Sequence, residues 1–201
     1  MFDRAIQTAL KPVLNRAAQG LARLGIGADA VTFTGFVIGM AAAGAIALQV
    51  YALGLALLLL SRLMDGLDGA VARATQPTDR GGFLDITLDF LFYASIPLAF
   101  AIAEPAQNAL PAAVLLAAFI GTGSSFLAFA AVAEKRKLQS LAFPDKSFYF
   151  LGGLTEATET IVAFATMCLW PAAFPLIAYG FAVLCGITIA MRVVWGWQRF
   201  G

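Results

Sequence analysis

The chain contains no histidine. Imidazole-ligated metal centres and nucleophilic catalysis driven by a histidine base are therefore excluded. Cysteine is nearly as scarce, since Cys168 and Cys185 are the only two and both fall within apolar segments. On the topology derived below they sit at different depths, so small buried hydrophobes are expected in place of a disulfide. Charge is thin as well: Asp, Glu, Lys and Arg make up 12% of the residues and the formal net charge is +1. That balance provides no basic surface, and no nucleic-acid partner is expected. The mixed polar residues near the N-terminus lack the uninterrupted apolar core of a cleavable signal. Long linkers, low-complexity stretches and clear internal repeats are also missing, and a single domain over residues 1–201 is expected.

What the chain has in abundance is apolar surface. Hydrophobic residues account for 61% of the 201 positions and the mean hydropathy is +0.84, far outside the range of soluble domains. The fold class this predicts is an all-α, polytopic membrane protein. Six segments have the length and apolarity of transmembrane helices, near 30–49, 51–74, 82–103, 108–134, 147–169 and 172–196, giving a six-helix bundle over 30–196. Ahead of them, residues 2–24 carry Phe2, Ile6, Leu10, Val13, Leu14, Ala17, Leu21 and Leu24, with Arg4, Lys11, Arg16 and Arg23 mostly elsewhere around the helical wheel. An amphipathic helix is expected there, kinked near Pro12, either lying in the membrane surface or packed on the protein's own cytosolic face.

The basic residues orient the bundle. Arg4, Lys11, Arg16 and Arg23 precede the first span, Arg73 and Arg80 fall at the second connection, Lys135, Arg136, Lys137 and Lys146 at the fourth, and Arg192 and Arg199 at the end. All lie on one side, whereas the connections near 50, 104–107 and 170–171 hold no Lys or Arg. Both termini are therefore expected in the cytoplasm. The remaining cation, Arg62, lies inside a span.

Four carboxylates, Asp65, Asp68, Asp85 and Asp89, stand in or beside two of these apolar segments. A charge inside hydrocarbon costs several kcal/mol or more, so it persists only when paired, hydrated or bound to a cation. Asp65, Asp68, Gly69 and Ala72 follow at steps of three and four residues or fewer and line one face of the second span, as Asp85 and Asp89 do on the third. At ~1.5 Å of rise per residue, both acidic faces lie roughly 5–12 Å from the cytosolic end and are level with each other. Oxygen-only ligands at this density suit Mg²⁺ or Mn²⁺, ions that keep open positions for phosphate oxygens. The residues point to a site for metal and phosphate.

The string Asp65-x-x-Asp68-Gly69-x-x-Ala72-Arg73, followed by Gly81-x-x-x-Asp85-x-x-x-Asp89, closely resembles the signature of the CDP-alcohol phosphotransferases, also called the CDP-alcohol phosphatidyltransferase family, integral membrane enzymes of phospholipid synthesis. Seven residues separate Arg73 from Gly81 where eight is the commonest spacing, a departure confined to the 74–80 loop. The resemblance implies transfer of a phosphatidyl-type group from a CDP-linked lipid, such as CDP-diacylglycerol, to the hydroxyl of a small alcohol, with release of CMP. It implies two divalent ions, Mg²⁺ or Mn²⁺. Carried over by position, Asp65, Asp68 and Asp85 are metal ligands, and Asp89 is both a ligand and the candidate general base. Asp65, Gly69, Ala72 and Arg73 hold the CDP moiety, with Arg73 against phosphate. Thr32, in the segment GIGADAVT that resembles the family's Pro-Asn-x-Leu-Thr entry to its first span, joins the nucleotide site, although Ala28 stands where Pro is usual. A homodimer in the cell inner membrane is expected, with its active site facing the cytoplasm.

Two other functions fit parts of the pattern. An Asp-rich membrane prenyltransferase also uses carboxylate-bound Mg²⁺, but would release pyrophosphate where this chain would release CMP. A divalent-cation transporter also needs intramembrane carboxylates, but offers no role for Gly69, Ala72 and Arg73 at fixed spacing. Three features stay open. Glu156 and Glu159, which share a face with Gly152, either shape an acceptor path or pair with Arg62 or Arg192. Lys135, Arg136, Lys137, Lys146 and Arg192 either bind a phosphorylated acceptor or set topology beside anionic headgroups. The small-residue patches Gly35-x-x-x-Gly39 and 121–125 serve either close helix packing or a subunit interface.

Overall fold

Two residues in the left-handed region end the first two helices. In the computed structural model, which describes residues 3–136 and 154–201, α1 (Asp3–Arg23) stops at Gly25, whose φ is +75°. Gly25 N donates to Ala22 O and Ile26 N to Leu21 O, at 3.1 and 3.0 Å, the paired bonds of a Schellman cap that glycine accommodates without strain. The second helix, α2 (Ala28–Ala47), ends the same way at Gln49, with φ of 61°. There Gln49 Nε2 donates to Ala103 O at 2.7 Å, tying the turn to the end of a later helix.

The chain continues with α3 (Tyr51–Ala74), α4 (Asp79–Ala103), α5 (Pro105–Lys135), α6 (Ala157–Leu169), a single 3-10 turn at Pro171–Ala173 and α7 (Phe174–Phe200). Among the described residues every regular element is helical. The α4 helix starts three residues before the expected position because Thr78 caps it, its Oγ1 accepting from Gly81 N at 3.0 Å. Among the described residues, four segments are long and apolar enough to cross a membrane: Ala28–Ala47, Asp79–Ala103, Pro105–Lys135 and Pro171–Phe200. The α3 helix has the length, 24 residues, but its apolar run is broken by Arg62, Asp65, Asp68 and Arg73. Of the segment expected at 147–169, α6 covers 13 residues; Gly152, Lys146 and Lys137 lie outside the described residues. Large apolar side chains such as Phe33, Val37, Leu59, Leu110, Leu176 and Val183 face outward, which suits helices bathed in lipid.

Packing places α2 against both α3 and α4, α5 against α4 and α7, and α1 against α3. The core is built on Ile46, Leu58, Phe92, Ile96, Phe100, Leu115, Phe164, Met167 and Phe174, all fully buried. Phe100 stacks on Phe174 with ring centroids 4.6 Å apart. Cys168 and Cys185 are buried and free, as expected from their places in apolar segments at different depths. On α1, Ala18 is buried with Val31, Ala70 and Val71, and Leu14 and Leu21 pack beside them. That face of α1 is therefore seated on the protein itself.

Both glycine patches are filled by contacts within the chain. A Cβ on Gly35 would lie 3.0 Å from Met64 Cβ, and one on Gly39 would lie 2.6 Å from Phe92 Cδ2 and 2.8 Å from Ser61 Oγ. Gly39 is thus the point where α2, α3 and α4 converge. On α5, Gly121 faces Ile189 and Gly123 faces Phe90. Gly39→Ala is expected to destabilise the protein by about 1–3 kcal/mol through overpacking. Gly44→Ala, with nothing within 4 Å of its added methyl, should be neutral or mildly stabilising. Thermal unfolding of the two variants in detergent tests this; equal midpoints would refute the three-helix junction at Gly39.

Candidate functional site

The acidic residues occupy a cleft whose walls come from three helices. Thr32, Gly35 and Phe36 of α2, Ser61, Arg62, Asp65 and Asp68 of α3, and Asp85, Leu88 and Asp89 of α4 line it together. Close approach of α2 to α3 is set at Gly35, whose carbonyl accepts from Ser61 Oγ at 2.8 Å. Because α2 packs on both α3 and α4, while those two approach each other much less closely, a gap remains between them. The periodicity of each helix directs its carboxylates into that gap.

Within it, Asp65, Asp68 and Asp85 each offer an oxygen, all lying within 4.8 Å of one another. Three charged carboxylates that close repel by about 3 kcal/mol per pair at an effective dielectric of 20, before screening by solvent. A divalent cation reverses the sign. Asp68 is 5% exposed, and its Oδ2 is buried with no hydrogen-bond partner. An orphaned carboxylate oxygen is costly unless something else is meant to meet it. Donor type, spacing and the orphaned oxygen all fit a hard divalent cation. Thr32 stands beside Asp68, with its hydroxyl donating to Ala28 O at 3.0 Å.

The fourth carboxylate is held elsewhere in the same cleft. Asp89 Oδ1 accepts from Arg62 Nη1 at 2.5 Å, and the same nitrogen is 3.5 Å from Asp65 Oδ1. The guanidinium lies over the Phe92 ring, 3.8 Å from its centroid. Arg62 therefore pairs with Asp89 and Asp65, and neither Glu156 nor Glu159 is its hydrogen-bond partner in the described contacts. Its spacing of three residues before Asp65 was the available signal. Arg192, also buried, donates to Thr122 O at 2.8 Å and is attracted by the charge of Glu156. Arg136 donates to Phe200 O at 2.6 Å, which ties the end of α5 to the end of α7.

Toward the C-terminal end of α3, the Arg73 guanidinium folds back over Gly69. A Cβ at 69 would lie 3.3 Å from Arg73 Nη1, so any larger residue would displace the cation. Ala72 is half-buried and Arg73 exposed; Arg73 also borders a groove with Lys11, Asn15 and Gln19 of α1. The loop after α3 is tied down by a contact that spacing alone did not reveal. Arg80 Nη2 pairs with Asp29 Oδ2 at 2.5 Å, joining the starts of α4 and α2, and a Cβ on Gly81 would lie 3.1 Å from Asp29 Oδ1. The shortened 74–80 connection thus ends in the Thr78 cap and the Asp29–Arg80 pair.

Comparison with known proteins agrees with this geometry. The family model for CDP-alcohol phosphatidyltransferase matches residues 26–195. The inner membrane protein YnjF of Escherichia coli K12 is 51% identical over 193 residues, covering 96% of this chain and 94% of its own. An archaetidylinositol phosphate synthase from Methanothermobacter thermautotrophicus is 46% identical over 92 residues, 45% of this chain and 47% of its own. Among solved structures, Mycobacterium tuberculosis phosphatidylinositol phosphate synthase (PgsA1) with CDP-DAG bound superimposes with a TM-score of 0.74 at 23% identity, covering 92% of this chain and 94% of that one. The same enzyme in complex with manganese and citrate gives a TM-score of 0.70 at 23% identity, covering 92% of this chain and 88% of that one. At that identity the two structures speak to the fold.

If the three converging carboxylates hold a cation, Asp68→Asn and Asp85→Asn should each weaken Mn²⁺ binding by about tenfold or more while leaving an inserted, folded protein. Titration followed by electron paramagnetic resonance measures this directly. Unchanged affinity in either variant would remove that residue from the ligand set.

Proposed function

This chain belongs to the CDP-alcohol phosphatidyltransferase family, and we propose that its acidic cleft transfers the phosphatidyl-type group of a CDP-linked lipid such as CDP-diacylglycerol to a small alcohol in the presence of Mg²⁺ or Mn²⁺. It is a membrane protein and a transferase of phospholipid biosynthesis. The observation that carries the metal-dependent reading is the convergence of Asp65, Asp68 and Asp85 oxygens within 4.8 Å across the gap between α3 and α4. The related enzyme's structures with CDP-DAG and with manganese support the same pair of ligands. A prenyltransferase or a cation transporter leaves the family match unexplained.

In this reading Asp65, Asp68, Asp85 and Asp89 would hold two divalent ions. When bound, such ions neutralise the donor diphosphate and stabilise charge on the leaving phosphate. Gly69 and Ala72 leave room for the CDP moiety close to the α3 backbone, with Thr32 and Asp65 beside it, and Arg73 clamps a phosphate. Asp89 takes the proton of the acceptor hydroxyl. The acceptor oxygen forms a bond to phosphorus as the bond from phosphorus to the CMP oxygen breaks, and CMP leaves with the electron pair. Holding both substrates in line is the larger part of the rate gain, because displacement at phosphorus is sensitive to alignment.

The topology we propose around this chemistry has six spans, with α3 and the segment ending in α6 as the two polar ones, and both termini and the cleft on the cytoplasmic side. Connections without Lys or Arg on the opposite side support it. The homodimer is retained, with an interface away from the two glycine patches, since those are filled within the chain.

Purified protein given CDP-diacylglycerol and a panel of small alcohols should release CMP with at least one of them, only when Mg²⁺ or Mn²⁺ is present. Undiminished release in excess chelator would refute the metal requirement, and pyrophosphate as product would refute the reaction. Arg73→Ala should raise the KM for the CDP-lipid about tenfold or more with a smaller loss in kcat, because a phosphate clamp acts on ground and transition states alike. Equal CMP binding by wild type and variant would remove Arg73 from the site.

A further inference from the structure

Donor binding, cation binding and proton transfer, as assigned above, leave Arg62 without a role, although it lines the same cleft as the four carboxylates. Its side chain is only 9% exposed, and its Nε is buried with no hydrogen-bond partner. Stability is a poor reason for keeping it there. A buried ion pair can usually be replaced by apolar residues of similar volume without loss, and an unsatisfied Nε adds to the cost. Charge is a worse reason. A fixed positive charge beside carboxylates that bind a divalent ion repels that ion, so on charge alone Arg62 opposes the site it borders.

Its geometry supplies the missing benefit. A single nitrogen, Nη1, reaches carboxylates on two helices: it bonds Asp89 Oδ1 of α4 at 2.5 Å and lies 3.5 Å from Asp65 Oδ1 of α3. Because α3 and α4 approach each other much less closely than either approaches α2, this link spans the gap between them. In both carboxylates the arginine engages Oδ1, which leaves Oδ2 for another partner. The guanidinium itself is fixed from two further directions. Nη2 donates to Ser61 Oγ at 3.3 Å, and that hydroxyl donates to Gly35 O of α2 at 2.8 Å. The Phe92 ring, fully buried, supports the guanidinium 3.8 Å from its centroid. Ser61 and Phe92 are also the side chains that fill the space opposite Gly39. The arginine is thus anchored on the junction of α2, α3 and α4, and extends from it to one acidic residue on each side of the gap.

We propose that Arg62 is a positioning residue of the cation site, holding Asp65 and Asp89 across the gap with one oxygen of each left for a divalent ion. Hydrogen bonds from outer-shell groups orient ligating side chains, and losing one costs about 10–100-fold in metal affinity. That gain outweighs the repulsion between the guanidinium and the ion. The proposal rests on the reading of the acidic residues as a site for divalent ions; it is independent of the alcohol transferred to and of which group takes its proton.

The sign of one measurement separates positioning from charge. In the full chain in detergent, titrated with Mn²⁺ and followed by electron paramagnetic resonance, Arg62→Met should weaken binding by about tenfold or more. Charge alone predicts tighter binding, and a role confined to helix packing predicts no change; either result overturns the proposal. A double-mutant cycle then locates the effect. Because Asp89 is the nearer partner, the cost of Arg62→Met should fall below about threefold when Asp89→Asn is already present. Equal costs in both backgrounds would mean that Arg62 acts on the fold at large, which also overturns it.

Should Arg62→Met fail to insert and fold, Arg62→Lys takes its place. It keeps the charge, so charge alone predicts no change in affinity. It loses the planar fork that meets Ser61 and the flat face on Phe92, so the proposal predicts a loss of about threefold or more. Unchanged affinity in Arg62→Lys would then be the overturning result. Wild-type protein that bound no Mn²⁺ would overturn the cation reading of the cleft itself, and this proposal with it, before any Arg62 variant is compared.

Discussion

Ionised groups inside a bundle of apolar helices must be compensated, and that constraint organises the structure more than any other. Five of them, Arg62, Asp65, Asp68, Asp85 and Asp89, share one cleft. Each costs several kcal/mol if left alone in such surroundings. Arg62 neutralises part of the cost through Asp89 and Asp65, but one cation against four carboxylates leaves a deficit. Where oxygens of Asp65, Asp68 and Asp85 converge, the proposed divalent ion and donor diphosphate would complete the compensation. Affinity for those ligands and the mutual repulsion of the carboxylates are thus two aspects of the same electrostatic imbalance.

Maintaining a cleft between α3 and α4 requires a third element to hold them at the right distance, and α2 serves as that spacer. Its two glycines set how near it comes to each partner: Gly35 admits Met64, and Gly39 admits both Ser61 and Phe92. Phe92 then supports Arg62 from below. The helix packing and the polar chemistry are therefore joined through one ring, and a change at Gly39 would reach the cleft through Phe92 and Ser61. At the N-terminal end of α4 the Asp29–Arg80 pair and the Thr78 cap fix where the helix begins, and hence the height at which Asp85 and Asp89 enter the gap.

Much of this was legible in the chain itself. Hydropathy located α2, α3, α4, α5 and α7 to within a few residues, because long apolar runs bounded by Gly, Pro and charged residues leave little freedom. Helical spacing put Asp65 with Asp68 on one face of α3 and Asp85 with Asp89 on one face of α4. What periodicity could not supply was the relation between helices. It placed Asp89 on the face of Asp85 yet could not show that Arg62 would hold it, since their 27-residue separation (89 minus 62) carries no local signal. For the same reason Asp29 and Arg80, 51 residues apart, were not paired. Composition likewise left Gly35 and Gly39 undecided between an internal and an external contact, because a small residue marks a close approach without naming what approaches.

The polar character of α3 follows from these requirements. Arg62, Asp65, Asp68 and Arg73 interrupt an otherwise apolar helix of 24 residues, which lowers its own tendency to partition into lipid. Such a helix is retained only if its neighbours cover the charged stripe. The stripe faces α2 and the α4 gap, Ala70 and Val71 beneath it are buried against α1, and α6 packs on α3 as well. With partners around it, α3 presents less polar surface to lipid than its composition suggests. Its placement is then a property of the assembled bundle, whereas α2, α4, α5 and α7 are each long and apolar enough to cross a membrane on their own sequences.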